Sequence, residues 1–181
     1  GSAVRQPVGP KFLRITDIQE NAVNWHQVPW CECSTREAEE ASLRPGDIVF
    51  ARTGATTGKT FLIEDCPEHA FFASYLILVR LDMQADPHYI NQFFQSDDYW
   101  AQISKGARGA AQPGVNATTL RALEVPLPPL PEQRRIAAIL DQAGALRAKG
   151  RGALAQLYSL PQSIFIEMFG DPATNPMNWD V

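Results

Sequence analysis

From Ile136 to Met168 the sequence keeps apolar residues in step with a helix. Ile136, Ile139, Ala143, Leu146, Ala153, Leu157, Leu160, Ile164 and Met168 advance mostly by three or four positions, with one gap of seven. A helix from Pro131 to Met168 would span roughly 55 Å at 1.5 Å per residue, more than a small domain can cover. The seam is too narrow for a core surface and has the form of a pairing ridge, so it needs a second rod. Gly144, Gly150, Gly152 and Pro161 weaken or bend such a helix.

What precedes the helix is of another kind. Pro126-Leu-Pro-Pro-Leu-Pro131 is a stiff extended connector, because proline fixes φ and disfavours helix before it. Pro131 suits the first helical position, and Glu132 suits the positive end of the helix. Ahead of the connector, hydrophobic periodicity alternates between strand and helix. Residues 12–18 alternate as a half-buried strand, and residues 36–43 read as a short acidic helix before the turn Arg44-Pro45-Gly46-Asp47. Residues 48–51 and 60–63 read as partner strands, and residues 71–81 as the longest strand. A helix is expected over 87–103, with Ile90, Phe93, Phe94 and Trp100 on one side. One helical turn is expected behind a Thr118 or Thr119 cap, and a closing strand at 123–125. The expected fold class is therefore α/β (α+β): a domain at 1–126 with a twisted mixed or antiparallel sheet, then a long C-terminal coiled-coil helix at 127–169. Residues 170–181 would open a linker.

With 45% hydrophobic and 20% charged residues among 181, the chain has the make-up of a folded globular protein rather than a disordered one. It has no uncharged apolar run near the ~20 residues that cross a bilayer, so no membrane role is expected. Nor does the sequence show a basic-then-apolar opening with a cleavage site. Cys31, Cys33 and Cys66 do not give four zinc ligands at the usual spacing, and His26, His69 and His88 do not complete the set. Free thiols, a cytoplasmic location and no metal or other cofactor are expected.

The net charge of -4 argues against a nucleic-acid partner until its distribution is considered. Residues 17–42 are acidic, whereas 44–62 carry Arg44, Arg52 and Lys59 against Asp47, and 101–125 carry Lys105, Arg108 and Arg121 against Glu124. Salt screens charges beyond ~10 Å, so a basic face can act locally on an acidic protein. Gly54-Ala-Thr-Thr-Gly58-Lys59-Thr60 is similar to a phosphate-binding P-loop, but only three residues separate its glycines where four are required. It should also open a helix, and it precedes strand-like text instead. The loop fits another use: glycines admit close approach, Arg52 and Lys59 supply charge, and Thr53, Thr56 and Thr57 supply short hydroxyls for phosphates or base edges. Lys105 to Thr118 repeats the pattern with Arg108, Gln112 and Asn116, whose amides suit adenine edges. Each loop can also be read without a ligand, as a glycine hairpin and as a loop with Asn116 capping a helix.

Other residues read more plainly. Trp25, His26 and Trp30 suit a packed aromatic corner better than a stack on bases. Ser74-Tyr75 reads as strand core, and Asp97-Asp98 as a solvated helix end. No catalytic signature is found: no nucleophile-elbow serine, no His-Glu-x-x-His, and no Asn/Asp-Pro-Pro-Tyr/Phe of an amino-methyltransferase.

Three segments resemble one family. Leu43-Arg-Pro-Gly-Asp-Ile-Val-Phe-Ala-Arg52-Thr-Gly-Ala-Thr-Thr-Gly-Lys59 resembles a "GD(I/L)L…R.G…GK" segment of type I restriction-modification specificity subunits. Ser104-Lys-Gly, Gln112-Pro-Gly-Val-Asn116 and Leu127-Pro-Pro-Leu-Pro-Glu-Gln133-Arg-Arg-Ile136-Ala resemble the end of their target-recognition domain and the start of their conserved helical region. Glu167 to Trp179 is similar to text that opens a second repeat, while the usual stretch ahead of the first strand is lacking. The resemblance implies a non-catalytic subunit that reads one half of a bipartite double-stranded DNA site. Modification (methyltransferase) subunits and restriction (motor and nuclease) subunits would do the chemistry. The helical spacer would pair with the second half of the subunit or with a homodimer mate. DNA contact is expected from Arg52, Thr53, Thr56, Thr57, Lys59, Lys105, Arg108, Gln112, Asn116 and Thr118. Helix pairing is expected from Ile136, Ile139, Ala143, Leu146, Leu157, Leu160 and Ile164. The alternative reading is an interaction adaptor that oligomerises through the helix and does not bind DNA.

Overall fold

The computed structural model describes residues 2–4, 9–19, 22–32, 42–53, 56–107 and 115–170. The chain divides into two compact units, Gly1–Ala137 and Ala138–Val181. The expected acidic helix at 36–43 falls mainly on residues 33–41, and Arg108 and Gln112 fall in 108–114, all outside the described residues.

Unit 1 is built on strand β6 (Ile48–Ala51), launched by the turn Arg44–Asp47. Gly46 supplies the positive φ of 91° that this turn needs. Asp47 is buried, and its carboxylate accepts from Arg80 Nε at 2.9 Å, Arg80 Nη2 at 2.8 Å and the Arg44 amide at 2.9 Å. A buried carboxylate is tolerated because it is paired and hydrogen-bonded. β6 is the centre of an antiparallel sheet between β7 (Thr60–Leu62) and β9 (Leu76–Val79). All four of its residues are buried, and alternate side chains leave on opposite faces. Ile48 and Phe50 enter one core with Ile90, Phe94, Tyr99, Ile103 and Val115. Val49 enters a second with Leu13, Val28, Ile63 and Leu76.

The other strands are β1 (Ser2–Val4), β2 (Lys11–Leu13), β3 (Ile18–Gln19), β4 (Ala22–Val23), β5 (Trp30–Glu32) and β8 (Ala70–Phe72). They form a four-stranded sheet in the order β1-β5-β2-β8, in which β2 and β8 run parallel, and the small hairpin β3-β4. The mixed α/β class holds, with the strands shared among three sheets. Helices α1 (Pro87–Phe93), α2 (Asp97–Ala107) and α3 (Ala117–Arg121) follow, and then α4 (Leu130–Phe169). Trp25 packs on the second core and donates to the Asp65 carbonyl at 2.9 Å, while the Trp30 ring carries the Lys11 ammonium 4.2 Å from its centre. Each tryptophan is thus engaged within unit 1, by separate partners.

Several boundaries depart from the periodicity. The stretch 12–18 is a strand only to Leu13, after which Arg14 and Asp17 close a 3-10 turn through paired hydrogen bonds. The stretch 71–81 is two strands, because the Leu76 amide turns back to the Ala73 carbonyl and exposes Tyr75. The helix at 87–103 is two helices, parted where the Ser96 hydroxyl accepts from the Tyr99 amide. The short helix is capped by Asn116 rather than a threonine. Residues 123–125 form no strand. There the Glu124 main chain pairs both ways with the Gln102 side chain, at 2.9 and 3.0 Å.

Side chains hold the rest of the connector. Tyr89 donates its hydroxyl to the Pro126 carbonyl at 2.9 Å. Gln133, in the first turn of α4, is 1% exposed and fully used. Its Oε1 accepts from the Asp86 amide at 2.8 Å, and its Nε2 donates to the carbonyls of Gln84 and Pro128 at 2.9 and 2.8 Å. Deleting that amide strands three main-chain groups, each of which costs energy when left unpaired. Gln133→Ala should therefore lower unfolding free energy by about 2–3 kcal/mol, read as a lower urea midpoint at unchanged slope. Gln133→Glu should not restore it, since a carboxylate would face two carbonyls.

Candidate nucleic-acid interface

The two glycine loops meet at Arg52. At the end of β6 the Arg52 amide donates to the Tyr75 carbonyl at 3.0 Å, and the Arg52 carbonyl accepts from the Val115 amide at 3.2 Å. The second bond joins the loop after β6 to the residue that precedes the Asn116 cap. Arg52 and Thr53 are exposed, as are Asn116 and Thr118. Among the described residues the Arg52 guanidinium has no ion pair. Asn116 Oδ1 is occupied in capping, accepting from the Thr119 amide at 2.8 Å and its hydroxyl at 3.1 Å.

The far end of the first loop is held differently. Gly58 has φ 84°, donates its amide to Ala51 at 2.9 Å, and accepts the Tyr99 hydroxyl on its carbonyl. Burial pushes the Tyr99 hydroxyl well above its usual pKa, so it remains a donor. Thr56 and Thr57 are half-buried here. The segment opens a strand at Thr60, not a helix, as its spacing requires.

Arg52 and Lys59 flank this loop in sequence, yet they part in space. The Ala51 amide donates to the Lys59 carbonyl at 2.9 Å, which sets Lys59 opposite Ala51 and one alternation away from Arg52. Arg52 therefore continues the face of Ile48 and Phe50. Lys59 lies on the face of Val49, where with Thr56, Ile15, Ile18, Gln95 and Trp100 it lines a cleft of about 360 Å³. Lys105 is exposed in the last turn of α2 rather than in a loop, and among the described residues no hydrogen bond joins it to Arg52. Arg80, engaged by Asp47, is not a free cation. Among the described residues there is no group of three or more His, Cys, Asp or Glu fit to hold a metal.

One residue of this surface escapes the sequence reading. Tyr75, expected in strand core, is 66% exposed beside Arg52. The Ala73-Ser74 pair of small residues ahead of it is the signal that could have marked a turn.

In unit 2 the side chains of residues 138–169 are all exposed. Ile139, Leu146, Leu157, Leu160 and Ile164 are 46–69% exposed, as a pairing seam requires, and Ala143 lies open among them. Ile136 is half-buried and belongs to unit 1. The apolar stripe is wider than the sequence seam, because Leu140, Leu154, Tyr158 and Phe165 extend it to roughly 160° of the circumference at 100° per residue. The helix stays continuous past Gly144, Gly150, Gly152 and Pro161. No helix among the described residues is long and apolar enough to cross a membrane.

The fold recurs in solved structures. A chain from a structure of the assembly and conformational transition of the type I restriction-modification system matches it with a TM-score of 0.62 at 23% identity, over 94% of this chain and 44% of that one. The HsdS subunit from Thermoanaerobacter tengcongensis matches with a TM-score of 0.55 at 21% identity, again over 94% and 44%. The model of the type I restriction modification DNA specificity domain matches residues 11–154, and the chain belongs to that family. It is 28% identical to the type I restriction enzyme EcoKI specificity subunit of Escherichia coli strain K12, over 90% of this chain and 37% of that protein. Against the StySPI specificity subunit of Salmonella potsdam it is 28% identical over 68% of this chain and 27% of the relative. The chain thus spans well under half the length of the curated relatives it matches.

Gly58 is the strictest backbone requirement of this surface. A methyl group there would come within 3.0 Å of the Trp100 ring at a φ of 84°. Gly58→Ala should cost more than about 1 kcal/mol, detected as a drop in unfolding midpoint.

Proposed function

We propose that this chain is a DNA-recognition half of a type I specificity subunit, reading one half of a bipartite double-stranded site. Residues 1–126 act as the target-recognition domain and 127–169 as the conserved helical spacer. The chain is non-catalytic and works in the cytoplasm. Methyl transfer belongs to modification subunits, and cleavage with translocation to restriction subunits. The observation that carries this reading is the Arg52 carbonyl bonded to the Val115 amide. It joins the start of one glycine segment to the residue ahead of the Asn116 cap, at the exposed end of β6, in a chain whose family is defined by DNA specificity. Arg52 supplies phosphate attraction, Thr53 follows it, and Asn116 and Thr118 stand at the cap and first turn of α3. Contacts from Arg108 and Gln112 belong to the same proposal. Family membership also weighs against the adaptor reading.

The stripe on α4 supports the assembly. A two-stranded coiled coil needs only a narrow seam, and a stripe of this width suits a helix covered by more than one neighbour. Pairing with the second half of the subunit, or with a homodimer mate, covers Leu146, Leu157 and Leu160. The remainder, Leu140, Leu154 and Tyr158, is left for a partner subunit.

Two experiments test these halves separately. In the assembled enzyme, Arg52→Ala should weaken binding alike on cognate and unrelated duplex and reduce the slope of log affinity against log salt by about one. Lys59→Ala, on the opposite face, should leave that slope unchanged. Equal slopes for wild type and Arg52→Ala would remove the Arg52 edge from the interface. For the spacer, Leu146→Asp with Leu157→Asp should abolish pairing in sedimentation velocity while unit 1 keeps its unfolding midpoint. Unaltered assembly would refute the pairing ridge.

A further inference from the structure

Strand register puts an aromatic ring beside the cation of the proposed DNA edge. β6 and β9 pair antiparallel with Ile48 opposite Val79, Phe50 opposite Ile77 and Ala51 opposite Leu76. The bond from the Arg52 amide to the Tyr75 carbonyl carries this register one step further. Directly opposed residues share a face, with Cβ atoms ~4.5–5.5 Å apart. Ile48, Phe50, Ile77 and Val79 all pack on the same core, so Arg52 and Tyr75 continue that face beyond the point where the core ends. Pairing stops there because the Arg52 carbonyl is taken by Val115. The side chains of Arg52 and Tyr75 therefore emerge together, and Tyr75 is 66% exposed.

Among the described residues no hydrogen bond or ring contact engages the Tyr75 side chain, and its main chain alone makes the bond to Arg52. Resting on the DNA-recognition reading above, we propose that Tyr75 is a specificity-determining residue that packs its ring against the C5-methyl of a thymine in the major groove. Base faces in an intact duplex are covered by stacking, so a ring cannot reach them without unstacking a step. Base edges in the major groove are polar with one exception, the thymine methyl. An uncharged ring beside a phosphate-bound arginine suits that target. The arginine sets position and carries no sequence information, and the ring supplies a contact that depends on the base pair.

The test uses the assembled enzyme on its cognate duplex, identified by mapping its methylation. Tyr75→Ala should lower cognate affinity about tenfold while leaving unrelated duplex and the salt slope unchanged, and Tyr75→Phe should stay within about twofold of wild type. Thymines of the half-site are then replaced one at a time by deoxyuridine, which deletes only the methyl. One position should cost wild type about fourfold, and cost Tyr75→Ala nothing. If every deoxyuridine effect persists in Tyr75→Ala, or if Tyr75→Phe loses as much as Tyr75→Ala, the thymine contact is wrong although DNA recognition stands. If the wild-type assembly does not distinguish its cognate from unrelated duplex, the recognition reading itself fails.

Discussion

Unit 1 is organised by a strand that has no solvent side. Each residue of β6 is at most 1% exposed, and its alternating side chains serve two cores rather than one core and a surface. Strands buried on both faces read as unbroken apolar runs, which Ile48-Val-Phe-Ala51 does. The strand can start only if the chain enters the interior with its polar groups satisfied. Asp47 does this by accepting from Arg80 and from the Arg44 amide. It also sends its main chain to Ile63, which closes the sheet at that end. At the other end the strand leaves the interior at Arg52. The position of the candidate interface is thus set by packing some four residues away.

The second organising device is polar. Residues 124–133 cross the ends of α1 and α2 without strand partners, and buried main-chain groups must be paired somewhere. Gln102, Tyr89 and Gln133 take over that duty with side-chain bonds of 2.8–3.0 Å. The arrangement explains how a proline-rich segment is held without pairing in a sheet. Proline supplies the extended shape, and glutamines and a tyrosine elsewhere supply the attachment.

Local signals were legible in the sequence, and distant pairings were not. The β6 run, the turn before it, the strand at 60–62 and the long helix all follow from apolar spacing and turn residues within a few positions. The misfit of the Gly54–Thr60 segment to a P-loop was also visible, in a spacing one residue short. Asn116 as a cap was open to view as one of two readings. Missed boundaries were of two kinds. Ser96-Asp97-Asp98 carries an ordinary helix-start signal, a capping hydroxyl before two acids, that the apolar periodicity across 87–103 concealed. The absent strand at 123–125 and the burial of Gln133 had little local signal, since all their partners but the Pro128 carbonyl lie 22 to 49 residues away. The separation of Arg52 from Lys59 was hidden for another reason. Both are charged residues of one short loop, and only the strand register reveals that they serve different faces.

Within unit 1 the Gln133 side chain makes its hydrogen bonds to peptide groups alone: one N–H and two carbonyls. Such groups are the same whatever side chain hangs from them, apart from the missing N–H of proline. These three bonds therefore set no requirement on the identity of residues 84, 86 or 128 beyond where their main chain runs, whereas the adjoining ion pair of Arg134 with Asp86, at 3.6 Å, does use a particular side chain. At this glutamine the path of the backbone, rather than the chemistry of the side chains beside it, is what the bonds select.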